Sequence, residues 1–215
     1  MFFLYSVHAV NDPESKDEQV TLELLDAISQ RSDVSQRHLA AKLGIALGLT
    51  NSYLKRCAKK GLVKIKEVPA NRYLYYLTPK GFAEKSRLTA RFLSTSLQFY
   101  RQAAESCSEL FGVCESNGWR RVVLCGASDL AEIAYTRSVG HHLHVVGIFD
   151  PSFKGGELVS LPVWSDWTLV PPVDAYLITG LEDPLTMYGA VAKWAGGERV
   201  LVPRVLGLEA AINSP

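Results

Sequence analysis

Leu47, Asn51, Ser52, Lys55 and Arg56 lie within one ten-residue stretch. If Thr50, Leu54 and Cys57 face a core, helical spacing turns Leu47, Asn51, Lys55 and Arg56 toward the opposite side, with Ser52 and Lys59 flanking. An amide, a hydroxyl and cations presented together can read a nucleic-acid groove. Asn pairs with adenine edges, Arg or Lys with guanine, and the remaining cations hold phosphates. Gln36 and Arg37, one helix earlier, and Arg72, at the tip of an expected hairpin, are further candidates for the same contact, Arg72 through the minor groove or a phosphate. The plainer alternative is a merely solvated helix face. A second group is Gly126, Ser128, Asp150 and Thr179. A glycine turn after a strand lets backbone amides approach a diphosphate, and an acid some 20 residues on can bind ribose hydroxyls. The turn here reads Gly-Ala-Ser-Asp-Leu-Ala. Ser128 and Ala131 stand where two further glycines are usual, and Asp129 either adds a negative charge beside any phosphate or serves as a helix N-cap.

Charge supports the first group. Residues 34–91 hold 13 Lys and Arg against two acids, Glu67 and Glu84, a net +11 inside a chain of net +1. Clustered cations of this kind suit a polyanion, whose counterions they release. The acids collect elsewhere: residues 1–95 carry +6 and residues 96–215 carry −5. Opposite signs in the two halves predict two domains with different partners.

The elements that must position these residues can be read in order. Residues 11–18 read as a loop. Val20, Leu22, Leu25 and Ile28 recur at helical spacing and predict a first helix over 19–31. Ser35 is a good N-cap for a second helix over 36–43, and Gly44 suits its left-handed end. After a short turn, a third helix runs over about 47–60. LVKIKEV, the turn PANR and YLYYLT predict a hairpin, with Tyr73, Tyr75 and Tyr76 as sheet packing. Thr78 and Pro79 open a helix to about Ser116, continuous or bent near Thr95. Its far half should lack a core of its own and pair with a second copy of the chain. After a boundary at 115–120, RRVVLCGASDLAEIAYTRSVGHHLHVVGIFDP reads as strand, glycine turn, helix and strand. Residues 155–172 read as a connection, AYLIT as a buried strand, EDPLTMYGAVAKWAG as a helix and RVLVPRVL as a last strand.

SQRHLAAKLGIALGLTNSYLK, the KKGLVK step and LTPKGFAEKSRLTARFL resemble winged helix-turn-helix regulators of the MarR type, in particular those labelled EPS-associated. The likeness covers roughly residues 20–95 and implies a groove-reading role for 47–55, with Asn51 foremost, and control of surface-polysaccharide genes. It departs at Ala46, where an N-capping Ser is frequent. Residues 119–207 resemble both the C-terminal domain of Rex-type redox repressors and the N-terminal domain of bacterial sugar acyltransferases, the latter through VGIFDP and LPVWSDWTLV. The fold expected is therefore α/β and two-domain: an N-terminal arm (1–18), a winged helix-turn-helix (19–78), a linking or dimerisation helix (79–116) and a Rossmann-like parallel sheet forming an effector domain (119–207).

Cys57, Cys107, Cys114 and Cys125 have no CxxC pairing and read as packing thiols in a reducing compartment. His38, His141 and His142 lack partners at metal or catalytic spacing, so neither a metal site nor a catalytic residue is expected. Trp164 and Trp167 either line the crevice above the sheet or cover it. The opening MFFLYSVHAV lacks the features of a signal peptide, and no apolar run reaches a membrane span, which predicts a soluble, cytoplasmic protein. The expected function is a homodimeric, DNA-binding transcription regulator without enzymatic activity. Its second domain senses a nucleotide or nucleotide-sugar near Gly126 and Asp150, with no cofactor otherwise. The alternatives are a ligand-free structural second domain, and an enzyme acting on a nucleotide-sugar.

Overall fold

The computed structural model describes residues 13–69 and 72–212, with side chains over 16–69 and 73–212. Most of the expected N-terminal arm thus lies outside the described residues. Two compact units part at Thr95/Ser96.

The N-terminal unit is a winged helix-turn-helix. Helix α1 (Pro13–Gln30) buries Val20, Leu24, Leu25, Ala27 and Ile28. It starts six residues earlier than the polar sequence suggests, so 13–18 is helix and not loop. Proline is accepted in a first helical turn. Asp17 and Glu18 are held there by partners far along the chain: Asp17 by Arg56 at 2.7 Å, Glu18 by Arg91 at 2.7 Å and Arg87 at 3.3 Å. Helix α2 (Gln36–Leu43) is capped by Ser35, whose hydroxyl accepts the His38 N–H, and ends at Gly44 with φ 62°. Helix α3 (Leu47–Lys59) follows, burying Thr50, Leu54 and Cys57. Strands β1 (Val63–Val68) and β2 (Arg72–Leu77) form the antiparallel wing, in register from Val63 opposite Leu77 to Val68 opposite Arg72. Tyr75 is fully buried, and its N–H reaches the Ser32 carbonyl at 2.9 Å. Tyr73 and Tyr76 are exposed, so only one of the three tyrosines packs as expected.

Helix α4 (Pro79–Ser116) is one helix without a break at Thr95. The Thr78 hydroxyl accepts the Gly81 N–H at its start. Leu88 belongs to the core of the N-terminal unit, while Ala103, Ala104, Cys107, Phe111 and Cys114 belong to that of the C-terminal unit. The expectation that the far half lacks a core is therefore wrong: these small residues and one phenylalanine pack onto the α/β unit. Leu93, Leu97 and Tyr100 remain exposed along it.

The C-terminal unit orders its strands β5-β6-β4-β3-β7-β8. These are β3 (Arg121–Cys125), β4 (His144–Phe149), β5 (Glu157–Leu158), β6 (Leu161–Trp164), β7 (Ala175–Ile178) and β8 (Val200–Leu201). All neighbours are parallel except the edge pair β5–β6. Strand order runs outward from β3 in both directions, the doubly wound arrangement of a Rossmann-like sheet. Val122–Cys125 and Ala175–Ile178 are buried throughout, as strands covered on both faces must be. Helices α5 (Asp129–Ser138), α6 (Pro184–Ala195) and the short α7 (Glu209–Ile212) complete the unit.

The stretch read as a plain connection holds the β5–β6 hairpin, and β6 extends the sheet beside β4. Its two-residue turn, Val159-Ser160, has φ of 46° and 65°. Positive φ at both positions is the tight hairpin geometry that Asn-Gly normally signals. A Val-Ser pair gives no such signal, because a β-branched residue there is strained. The expected last strand shrinks to two residues before Pro203 and a turn of 3-10 helix over Arg204–Leu206.

Candidate nucleic-acid interface

The buried triad of α3 fixes which side of the helix looks outward. Gly48, Ser52, Lys55 and Lys59, three or four residues apart, are all exposed. Asn51 and Arg56 sit on the flanks and are half-buried. The outward stripe therefore differs from the expected Leu47, Asn51, Lys55, Arg56. Lys55 keeps its place, Ser52 and Lys59 move from flank to centre, and Gly48 joins. The first turn of α3 has no side-chain cap, Ala46 standing at the N-cap, and Leu47 and Leu49 there are 41% and 48% exposed.

Arg56 is not a free cation. Its guanidinium meets Asp17 of α1 at 2.7 Å and lies 4.4 Å from the centre of the Tyr53 ring. Burial tends to lower the Arg56 pKa, but Asp17 and Tyr53 together outweigh this, so the group is held above its ordinary value. Gln36 is also turned inward, donating from Nε2 to the Tyr75 hydroxyl at 3.1 Å, which fastens α2 to the wing. Arg37 is exposed beside it. The Arg72 side chain lies outside the described residues.

Apart from Arg72 and from Lys80, whose Nζ donates to the Lys60 carbonyl at 3.0 Å, the cations of 34–91 sort into two sets. Arg56, Lys85, Arg87 and Arg91 pair with Asp17, Asp26, Glu84 and Glu18. These are partly exposed pairs, each worth no more than about 1 kcal/mol, and they sit between α1, α3 and α4. Arg37, Lys42, Lys55, Lys59, Lys60, Lys64 and Lys66 have no ion pair among the described residues. They lie on α2, α3 and β1. The acids of α1 cancel one side of the domain and leave the helix-turn-helix and wing positive. Lys42, Lys60, Lys64 and Lys66 were missed as candidates. The spacing of Lys64 and Lys66, two apart on a strand and so on one face, was the signal available.

The second candidate group is brought together, but around itself. Gly126 follows β3 with φ 112°, and a Cβ there would lie 2.2 Å from the Gly180 Cα. Backbone this close tolerates only glycine. The buried Thr179 hydroxyl donates to the Gly126 carbonyl at 2.6 Å, and the Ser128 hydroxyl donates to the Thr179 carbonyl at 2.5 Å. Ser128 also caps α5, accepting the N–H groups of Leu130 and Ala131. Asp150 accepts the Ala127 N–H through Oδ2 and the Ser152 N–H through Oδ1, both at 2.8 Å. The turn amide that a diphosphate would use is bonded to the acid that a ribose would use. Asp129 is half-buried in the same turn, and desolvation raises its pKa. Trp164 lies over Gly147, and Trp167 stacks between Phe149 and Trp194, so both tryptophans cover the sheet.

His141 Nδ1 and the His142 N–H both meet Glu115, at 3.2 and 2.8 Å, which pins the α5–β4 loop to the end of α4. Among the described residues no group of three or more His, Cys, Asp and Glu could hold a metal ion. No helix among them is long and apolar enough to cross a membrane.

Residues 17–64 match the family model described as winged helix-turn-helix DNA-binding. No curated protein matches. Among solved structures, the chain is similar to the PcaV transcriptional regulator from Streptomyces coelicolor (22% identity, TM-score 0.34, 37% of this chain and 59% of that one). It is also similar to MepR, a transcription regulator of the Staphylococcus aureus multidrug efflux pump MepA (21%, 0.35, 40% and 63%). A third likeness is to human N-acetylserotonin methyltransferase in complex with SAM (12%, 0.30, 75% and 66%). The chain thus spans about 60% of the length of the two regulators. At these identities and TM-scores no function transfers from them.

Proposed function

We propose that this protein is a DNA-binding transcription regulator of the MarR type, without enzymatic activity and acting in the cytoplasm. The observation that carries the reading is the sorted charge: unpaired cations on α2, α3 and the wing surround the outward stripe of α3. The match of residues 17–64 to the winged helix-turn-helix model supports it. Lys55 and Lys59 hold phosphates beside the groove entered by α3, and Lys64 and Lys66 extend the contact along the wing. Leu93, Leu97 and Tyr100, exposed at i, i+4 and i+7 on α4, support pairing with a second copy, which would suit a palindromic site. Control of surface-polysaccharide genes rests on the sequence resemblance alone.

For the C-terminal unit, the hydrogen bonds among Gly126, Ser128, Asp150 and Thr179 favour a structural module over a nucleotide or nucleotide-sugar sensor. A mobility-shift titration against the protein's own upstream DNA at two salt concentrations tests the main reading. Lys55→Ala/Lys59→Ala should weaken binding and reduce the salt slope by nearly two, since each phosphate contact contributes about 0.9. An unchanged slope would sink it.

A further inference from the structure

The tip of α3 carries an oddity that the N-terminal unit by itself does not explain. Its first turn shows solvent two large apolar side chains, Leu47 and Leu49, with Gly48 between them. Gly48 is an ordinary helical residue whose φ is not positive, and a Cβ added there would meet nothing within 4 Å. Glycine in a helix destabilises it relative to alanine, so neither backbone conformation nor internal packing calls for glycine at this place. The neighbouring hydroxyls are turned back on the helix. Thr50 Oγ1 donates to the Ala46 carbonyl at 3.2 Å, and Ser52 Oγ to the Gly48 carbonyl at 3.1 Å. The first turn, Leu47 to Thr50, therefore presents carbon and no free side-chain donor, while Asn51 on the flank and Lys55 and Lys59 further along supply amide and positive charge.

We propose that Leu47-Gly48-Leu49 is the base-reading tip of α3, and that it reads by apolar contact with thymine methyl groups in the major groove, Gly48 allowing the helix backbone to come close. This rests on the DNA-binding reading above. In that groove the thymine methyl is the apolar feature that distinguishes bases. The cations of α3 and the wing commit the apolar tip to this polyanion rather than to a protein or membrane surface.

The test uses the full chain and a duplex selected by it from a random pool. Each thymine is replaced singly by uracil, which removes only the methyl group. At one or two positions wild type should lose about threefold to fourfold in affinity, the value of removing one methyl from water. Leu47→Ala or Leu49→Ala should bind the thymine and uracil duplexes equally there. Gly48→Ala should raise the melting temperature yet weaken binding about tenfold or more, opposite signs that a misfolded variant cannot give. Tight binding indifferent to every uracil, or a Gly48→Ala variant that binds as well as wild type, overturns the proposal and leaves the DNA reading intact. Failure of wild type to select any duplex overturns both.

Discussion

Lys55 and Lys59 stand exposed on α3 with no ion pair among the described residues, whereas Ser128, Asp150 and Thr179 in the C-terminal unit are each bonded to backbone of a neighbouring strand end or turn. Both groups come from residue types that bind nucleotides or nucleic acids. The difference is what the fold leaves uncommitted. In the N-terminal unit the acids of α1 neutralise a chosen subset of cations and leave the rest facing outward. In the C-terminal unit the switch point of the sheet, where open α/β folds bind ligands, is closed by β3 and the end of β7 approaching each other. A polar side chain is a candidate contact only while its hydrogen bonds are not already made at home.

The largest effect should come from opening the closed turn. Gly126→Ala places a Cβ against the Gly180 backbone at a left-handed φ, and should cost about 4 kcal/mol or more, read as loss of the C-terminal unit's thermal transition. Thr179→Val keeps the shape but removes the hydroxyl from the Gly126 carbonyl, for about 1–3 kcal/mol by chemical denaturation. In wild type, a panel of nucleotides and nucleotide-sugars should leave the melting temperature unchanged. A saturable rise with any of them would break the comparison, because a ligand that binds only the folded state stabilises it.

A smaller effect sharpens the other side. Arg56→Met removes a pair with Asp17 and should lower stability by less than about 1 kcal/mol while leaving the salt slope of DNA binding unchanged. A fall in slope matching that of the lysine variants would return Arg56 to the interface. The least perturbing measurement concerns the thiols. Burial pushes Cys107 up to about 12 and Cys114 up to about 11, from an ordinary 9.0. Neither should react with a thiol reagent at pH 8 until the chain unfolds. Because the folded values are raised, the unfolded chain loses these protons first. The stability they contribute is full below about pH 9 and declines as pH climbs toward the folded values.

Much of the local architecture was legible because it is set by residues close in sequence. Ser35 and Gly44 bracket α2, the triad Thr50, Leu54 and Cys57 orients α3, and the apolar run before Gly126 marks β3. What misled was the assignment of faces and roles. A window of ten residues placed Arg56 among the readers of DNA. It could not show Asp17, 39 positions earlier, at the guanidinium.

The sequence by itself determined the two-part plan, the helix-turn-helix with its wing, and the excess of positive charge in the first half. These follow from periodicity, capping and composition, which act over a few residues. Only the tertiary structure decided which cations stay free, that the far half of α4 joins the α/β core, and that the glycine turn closes on Asp150 and Thr179. Those outcomes depend on groups brought together from distant parts of the chain, where a hydrogen bond or ion pair of under 3 Å settles what local spacing leaves open.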